Sequence, residues 1–108
     1  AAAAMYDGLG RLLSPEVMTQ ATTTHSRGPD EVLKSQTHFG LGFMLYDEAT
    51  PIGVKPGSFG HAGAGGSMAF HDPVARVSFC FAMNRMEMGM ITGGTTAMAA
   101  AAAVYDCL

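Results

Sequence analysis

The sequence predicts an α+β fold, with antiparallel strands flanked by helices. Two stretches, residues 39–46 and 77–84, alternate bulky and small side chains, as pleated strands with one buried face do. A glycine-rich octet at residues 60–67 precedes the second stretch and is typical of the start of a hairpin. An alanine-rich segment over 95–108 repeats its large side chains at helical spacing.

The N-terminal part of the chain is predicted to be helical. Residues 1–13 have helical character, and a second helix is predicted to begin at Ser14. Serine is a preferred N-cap, Pro15 fits the first helical position and Glu16 favours the first turn. This helix is expected to end near the threonines at 22–24. The side chains expected to face inward are Val17, Met18 and Ala21.

The middle of the chain is predicted to hold loops around one strand. Residues 25–30 and 51–57 are rich in glycine and proline and are expected to form surface loops, whereas residues 31–34 are too few to assign. In the strand predicted over 39–46, glycines alternate with bulky residues. A neighbouring helix or the floor of a cleft is therefore expected to lie close against those glycines.

The C-terminal third is predicted to be a strand followed by a helix. In the strand over 77–84, one face is bulky and the other carries the small residues Ser78, Cys80 and Ala82. Small side chains let a helix approach, so the helix over 95–108 is expected to pack on that face. Both cysteines, Cys80 and Cys107, are expected to be reduced and buried.

Composition excludes several classes of function. Only 14% of residues are charged, against about a quarter in ordinary soluble domains, so further chain or a partner is expected to cover apolar surface. The net charge of −3 and the scattered basic residues argue against nucleic-acid binding.

Residues 92–96 interrupt the longest candidate membrane span, and the N-terminus lacks the basic region of a signal peptide, which favours the cytoplasm. The histidines and cysteines lack metal-ligand spacing, and no cofactor is predicted.

The octet at residues 60–67 has so high a glycine density that the backbone itself must approach something closely. A phosphate loop is disfavoured because Gly66 stands where its lysine should be, and a dinucleotide fingerprint fails at Met68. Two interpretations remain open. Either the glycines let a neighbouring helix pack tightly and His61 is structural, or this stretch lines a ligand site.

The residues around the octet resemble the C-terminal strand pair of serine β-lactamase-like proteins, particularly class C-related esterases and β-lactamase-domain hydrolases. The stretches that carry the resemblance read GLGF over 40–43, FGHAGAGGS over 59–67, FHDP over 70–73 and FAMNRM over 81–86. Such proteins carry Lys-Thr-Gly, or His-x-Gly or Trp-x-Gly, on a strand beside the active-site cleft. The resemblance implies that residues 1–108 are a single partial domain, the C-terminal part of such a fold.

The resemblance also implies roles for the octet. The triplet would be His61-Ala62-Gly63, with His61 facing a substrate carboxylate or leaving group. The backbone N–H of Ala64 would belong to the oxyanion hole, where any side chain is acceptable. Ala62, Gly63 and Gly65 would line the bound substrate, an ester or a lactam.

The catalytic motifs of that family are absent from these residues. No serine is followed three residues later by lysine, and no tyrosine is followed two residues later by asparagine. We therefore expect a C-terminal segment of a serine hydrolase that is inactive alone. The alternative is a non-catalytic module for interaction or self-association, and a third hypothesis is a Ser58/His61 dyad. The sequence assigns no role to His25, His38 and His71.

Overall fold

The computed structural model describes residues 12–88 and 93–108. Within them, six antiparallel strands form one sheet in the order β1-β2-β3-β4-β5-β6, so each strand pairs with its neighbour in sequence. This α+β architecture confirms the predicted fold class. The helix predicted over residues 1–13 lies outside the described residues, except for Leu12 and Leu13. The elements are α1 Pro15–Ala21, β1 Ser26–Pro29, β2 Gln36–Phe39, β3 Met44–Leu45, β4 Phe59–Ala62, β5 Met68–Asp72, β6 Val77–Phe81 and α2 Thr95–Asp106.

Helix α1 begins as its sequence predicts. The Ser14 hydroxyl accepts a hydrogen bond from the Val17 N–H at 3.3 Å, and Pro15 occupies the first helical position. Met18 and Ala21 are buried, but the inward orientation predicted for Val17 is wrong, since its side chain is 44% exposed. A helix of seven residues contacts the sheet along one narrow stripe, and Val17 lies beside that stripe.

Gly40 lies against the end of α1, as the glycine pattern predicted. A Cβ atom at Gly40 would overlap the carbonyl oxygen of Ala21, so only glycine allows this approach. The Leu41 N–H donates to that same oxygen at 2.9 Å. This contact holds α1 against the β2–β3 turn.

Two predictions for the first half of the chain are wrong. Residues 25–30 are not a loop but contain β1, whose exposed side chains gave no hydrophobic alternation to detect. The single strand predicted over 39–46 is instead two strands, because the chain turns at 40–43, where Gly42 has φ +77°, and Phe39 pairs with Met44. The alternating glycines of this segment belong to a turn.

The sheet has two differently covered faces. On one face, α2 packs on a core that contains Met68 and Phe70 of β5, and on the other, α1 packs through Met18 on Leu45 and Phe59. The face that packs against α2 is called the helix α2 face below, and the other is called the open face. No helix among residues 12–88 and 93–108 is long and apolar enough to cross a membrane.

Helix α2 forms where it was predicted, but on the other face of β6. Phe79 and Phe81 pack against the core that holds Ala97 and Ala101, whereas Ser78 and Cys80 are exposed. The buried positions of α2 are alanines, so a small helix surface meets large strand side chains. Volume complementarity across the interface decides the packing, not small residues on the strand alone.

The cysteines and the 51–57 loop also differ from expectation. Cys80 and Cys107 are free, as predicted, but both are exposed. Cys107 is the C-cap of α2, and Cys80 points to the open face. The loop is anchored in the core, because Ile52 is completely buried beneath its turns.

Candidate functional site

The glycine-rich octet forms the end of β4 and the turn that leads into β5, which confirms the predicted hairpin. We call residues 63–67 the site turn. The Gly63 N–H donates to the Ser67 carbonyl at 2.8 Å, and the Gly66 N–H donates to the Gly63 carbonyl at 3.2 Å. Gly65 and Gly66 have φ values of +90° and +109°, which side-chain-bearing residues rarely adopt. The glycines at these positions are therefore required by the backbone path.

The site turn fixes the direction of one main-chain donor, the N–H of Ala64. In a planar trans peptide the N–H of Ala64 points opposite to the carbonyl of Gly63. That carbonyl is held inside the turn by the N–H of Gly66. Ala64 is exposed, and within the described parts of the chain its N–H has no acceptor. The turn therefore holds an available hydrogen-bond donor pointing outward.

His61 lies on β4 with an exposed side chain. Its Nδ1 lies 2.6 Å from the Ala62 carbonyl oxygen. Because a carbonyl oxygen can only accept, Nδ1 carries the proton and donates. In the neutral ring, Nε2 is then an acceptor, and it donates only when the ring is an imidazolium. The centroid of the imidazole ring lies 6.2 Å from that of the Phe39 ring, and the two rings are tilted by 48°.

The register of the sheet places His61 in an exposed row on the open face. His61 pairs with Ala69, and Ala69 pairs with Cys80, and paired residues share a face. All three side chains are exposed. In the next row, Phe59 and His71 are buried, and Met18 of α1 packs against Phe59. The open face is therefore covered at one end and uncovered beside the site turn.

A buried carboxylate supports the sheet behind this site. Asp72 is 1% exposed and accepts hydrogen bonds from Val74 N–H at 2.9 Å, Ala75 N–H at 3.0 Å and the Tyr105 hydroxyl at 2.7 Å. Burial opposes the charge of Asp72, but these three donors outweigh it and lower its pKa. Burial and the carboxylate together raise the pKa of Tyr105. The pair therefore persists as carboxylate and phenol, and it ties the end of α2 to the β5–β6 turn.

His71 lies on the open face, in the row next to the exposed one. Its Nδ1 is 2.8 Å from the Ser78 hydroxyl, and its ring packs edge-on against Phe59. Burial lowers the pKa of His71, an effect partly offset by the Asp72 carboxylate and the Val77 carbonyl. The ring is therefore neutral at pH 7.

The predicted site residues separate into exposed and buried groups. His61 and Ala64, three residues apart in the chain, are both exposed, whereas the Ala62 side chain is buried in the core and Gly65 is buried under Met83 and Met86. At Gly63, a Cβ atom would overlap the Ser67 hydroxyl. Any contact from Ala62 to a ligand on the open face would thus be through its backbone.

The structure does not form the Ser58/His61 dyad. Ser58 is 1% exposed, and its side chain lies near Gly53 and Tyr105, on the helix α2 face. His61 lies three residues further on and points to the open face. The dyad hypothesis is therefore wrong, because odd and even positions of a strand point to opposite faces.

Three residues near the site were not assigned to it from the sequence. Ala69 and Cys80 share the exposed row with His61, and strand alternation would have revealed them once the register was known. Glu87 contacts the site turn and α2, a long-range contact that leaves no local signal in the sequence. Among the residues that the structure describes, no cluster of three or more His, Cys, Asp or Glu side chains is arranged to hold a metal ion.

Comparisons with known proteins identify relatives. The family model described as Beta-lactamase matches residues 1–103. The esterase/beta-lactamase LipL of Mycobacterium tuberculosis is 40% identical over 82 residues, which cover 74% of this chain and 18% of LipL. A family VIII carboxylesterase and a penicillin-binding protein homologue from Caulobacter crescentus have TM-scores of 0.85 and 0.86, each at 34% identity. In both cases the likeness covers 98% of this chain and 29% of the other.

The chain therefore spans less than a third of the length of each of these relatives. The family match, in contrast, extends over residues 1–103, which are nearly all of this chain. The similarity includes the β4–β5 hairpin and the site turn, which lie within the matched range. This chain belongs to the Beta-lactamase family.

Proposed function

We propose that this chain forms one wall of the active-site cleft of a serine hydrolase that cleaves an ester or a β-lactam amide. The observation that carries the proposal is the outward-pointing N–H of Ala64, held by the site turn beside the exposed imidazole of His61. Both groups border the uncovered end of the open face. The names of the relatives, which include esterases and a penicillin-binding protein homologue, support the same class of chemistry.

The Ala64 N–H would act in the oxyanion hole. When a serine oxygen adds to the substrate carbonyl carbon, the carbonyl oxygen becomes an oxyanion that needs preorganised donors. A main-chain N–H fixed by a turn meets that need without reorganisation. Loss of one such donor typically lowers kcat by about 10²–10³-fold.

His61 would contact the substrate or its leaving group. With Nδ1 committed to the Ala62 carbonyl, Nε2 is the ring nitrogen that would bind the substrate. As a neutral ring it accepts a hydrogen bond from a hydroxyl, and as an imidazolium it donates to a carboxylate or to a departing oxygen. Gly63 and Gly65 would let the substrate approach the backbone, with Ala62 contributing through its main chain.

The nucleophile and its base would come from outside these 108 residues, which contain no Ser-x-x-Lys. The chain alone would then be inactive, as a partial domain whose remaining part covers the His61 row. In the complete site the serine proton would pass to the base. The oxyanion would collapse with cleavage of the carbon–oxygen or carbon–nitrogen bond, and the leaving group would take up the proton.

The test is hydrolysis of p-nitrophenyl butyrate by the chain alone and by the chain combined with a separately made family fragment that carries Ser-x-x-Lys. We expect no hydrolysis by either piece alone and measurable hydrolysis by the pair. Changing the serine of the fragment to alanine is the control and should abolish the activity. A folded pair that does not hydrolyse the ester would contradict the proposal.

A further inference from the structure

Glu87 connects the site turn to the N-terminus of α2. Its backbone N–H donates to the Gly65 carbonyl at 2.9 Å. Its carboxylate accepts hydrogen bonds from the first residues of α2: Oε2 from the Thr95 N–H at 3.2 Å and the Thr95 hydroxyl at 3.3 Å, and Oε1 from the Thr96 hydroxyl at 3.0 Å. One residue thus contacts both elements, through its main chain and its side chain.

A second contact joins the same two elements. The Gly94 N–H donates to the Gly66 carbonyl at 3.3 Å, and a Cβ at Gly66 would lie 3.4 Å from the Cα of Gly94. The carbonyls of two consecutive residues in the site turn are therefore held by Glu87 and by the N-cap of α2. Because the Glu87 carboxylate binds the start of α2, it fixes the Glu87 N–H and the Gly94 N–H relative to each other.

The sequence around α2 makes this carboxylate the cap of the helix. The N-cap residue is Gly94, which has no side chain to accept the first N–H groups. Glu87 supplies that acceptor from another part of the chain, and its negative charge is favourable at a helix N-terminus. A Cβ at Gly94 would lie 2.7 Å from Glu87 Oε2, so glycine is needed there for the carboxylate to reach.

These contacts determine the direction of the Ala64 N–H. Glu87 and Gly94 hold the carbonyls of Gly65 and Gly66, and the Gly66 N–H holds the Gly63 carbonyl. The Gly63 carbonyl in turn sets the peptide plane that contains the Ala64 N–H. A change at Glu87 is therefore transmitted to that donor through two hydrogen-bonded peptide groups, Gly65–Gly66 and Gly63–Ala64.

We propose that Glu87 is a positioning residue for the Ala64 N–H, acting through its contacts with the site turn and with the start of α2. This inference rests on the proposed function, because it assigns Glu87 a part in aligning the oxyanion donor. It adds a residue that touches no substrate. The effect on catalysis would come from misalignment, since displacement of a donor by about 1 Å can lower the rate by about 10²-fold.

The first test is amide hydrogen exchange in the 108-residue chain with Glu87→Ala and Glu87→Gln. We expect faster exchange of the Gly66 and Gly94 amides in Glu87→Ala and a smaller change in Glu87→Gln, which keeps the side-chain shape and one acceptor oxygen. Glu48→Ala, an exposed carboxylate outside the site, is the matched control and should leave both amides unchanged. Unchanged exchange at Gly66 in both Glu87 variants would overturn the inference.

The second test is the ester assay on the chain combined with the Ser-x-x-Lys fragment. Glu87→Ala should lower kcat about 10-fold or more with KM changed by less than about twofold, because only transition-state alignment is lost. Glu87→Gln, which keeps one acceptor oxygen, should recover part of that loss. Unchanged kcat in Glu87→Gln and Glu87→Ala overturns the positioning role and leaves the proposed function intact. If the unsubstituted pair is inactive, the proposed function is contradicted instead. The amide exchange of Gly66 and Gly94 then still tests, without any activity, whether Glu87 holds the site turn.

Discussion

At the scale of single residues, the most consequential contact outside the site is the hydrogen bond from Tyr105 to Asp72. It is 2.7 Å long and joins α2 to the turn after β5. Asp72 also accepts two backbone N–H groups of that turn, so the carboxylate is fully engaged. Loss of any one donor would leave a buried charge less well compensated.

Removing the Tyr105 hydroxyl should therefore destabilise the fold. We expect Tyr105→Phe to lower the free energy of unfolding by about 1.5–3 kcal/mol, the usual range for a hydrogen bond to a charged group. The matched control is Tyr46→Phe, since the Tyr46 hydroxyl makes no hydrogen bond to the described residues. Urea unfolding measures both. Equal stability of the two variants would contradict the importance of the Asp72 contact.

The burial of His71 makes stability depend on pH. Burial lowers the pKa of His71 in the folded chain, whereas in the unfolded chain it returns to the ordinary value of 6.5. As pH falls below 6.5, the unfolded chain takes up a proton that the folded chain does not, so stability decreases with a slope of at most about 1.4 kcal/mol per pH unit. Well above pH 6.5, His71 is neutral in both the folded and the unfolded chain, so its titration no longer lowers the free energy of unfolding.

The measurement is urea unfolding between pH 5 and pH 7.5 for the unsubstituted chain and for His71→Gln. The substitution should flatten the slope below pH 6.5. A slope that is identical in His71→Gln would show that another group is responsible.

At the scale of elements, the site turn depends on a tight contact between its two ends. A Cβ atom at Gly63 would overlap the Ser67 hydroxyl, the flexible end of a side chain, and meets nothing else closely. We expect Gly63→Ala to lower the free energy of unfolding by about 1 kcal/mol, as modest overpacking does. Gly63→Ala/Ser67→Ala should recover most of this loss, because the overlapping atom is gone.

A double-mutant cycle in urea tests this expectation, with Ser67→Ala as the single-substitution reference. The interaction energy between positions 63 and 67 should favour the double variant. Strictly additive effects would mean that the turn relaxes in some other way.

The sequence predicted elements whose signals are local. The cap at Ser14 predicted α1, the glycine density predicted the β4–β5 hairpin, and the side-chain spacing predicted α2. It did not predict β1, because that edge strand is exposed and ends in a proline that edge positions tolerate. It also placed α2 on the wrong face of β6, since the choice depends on side-chain volumes from several elements.

The same distinction between local signals and long-range contacts applies to the candidate site. The exposure of His61 and the burial of Ala62 follow from the alternation of a single strand. The contribution of Ala69, Cys80 and Glu87 depends on register and on contacts between distant segments. These relationships exist only in the folded chain, so sequence patterns could not reveal them.

At the scale of the whole molecule, the low charge content and the uncovered end of the open face lead to the same expectation, namely that further chain or a partner covers part of the surface. Charged residues make up 14% of the chain, and the row of His61, Ala69 and Cys80 is exposed on a sheet whose other face is packed. Under the proposed function, the Ser-x-x-Lys part would cover this row. Cys80 can report such covering.

The chain combined with the Ser-x-x-Lys fragment is called the hydrolytic pair. We expect the Cys80 thiol to react with a disulfide reagent in the chain alone, and to react about 10-fold or more slowly in the hydrolytic pair. Cys107→Ser removes the second exposed thiol so that Cys80 is observed separately. The rate is followed by absorbance of the released thiolate. Equal reactivity of Cys80 in the chain and in the pair would mean that the open face stays uncovered.

The amide resonance of Ala64 tests most directly whether its N–H donates to the oxyanion. A boronic acid that forms a tetrahedral adduct with the serine mimics the oxyanion, and its oxygen should accept the Ala64 N–H. In the hydrolytic pair, with the chain labelled with ¹⁵N, we expect a downfield shift of the Ala64 amide proton on inhibition and little change at Gly57, in the loop over 51–57. Full inhibition with an unmoved Ala64 resonance would show that this N–H does not bind the oxyanion.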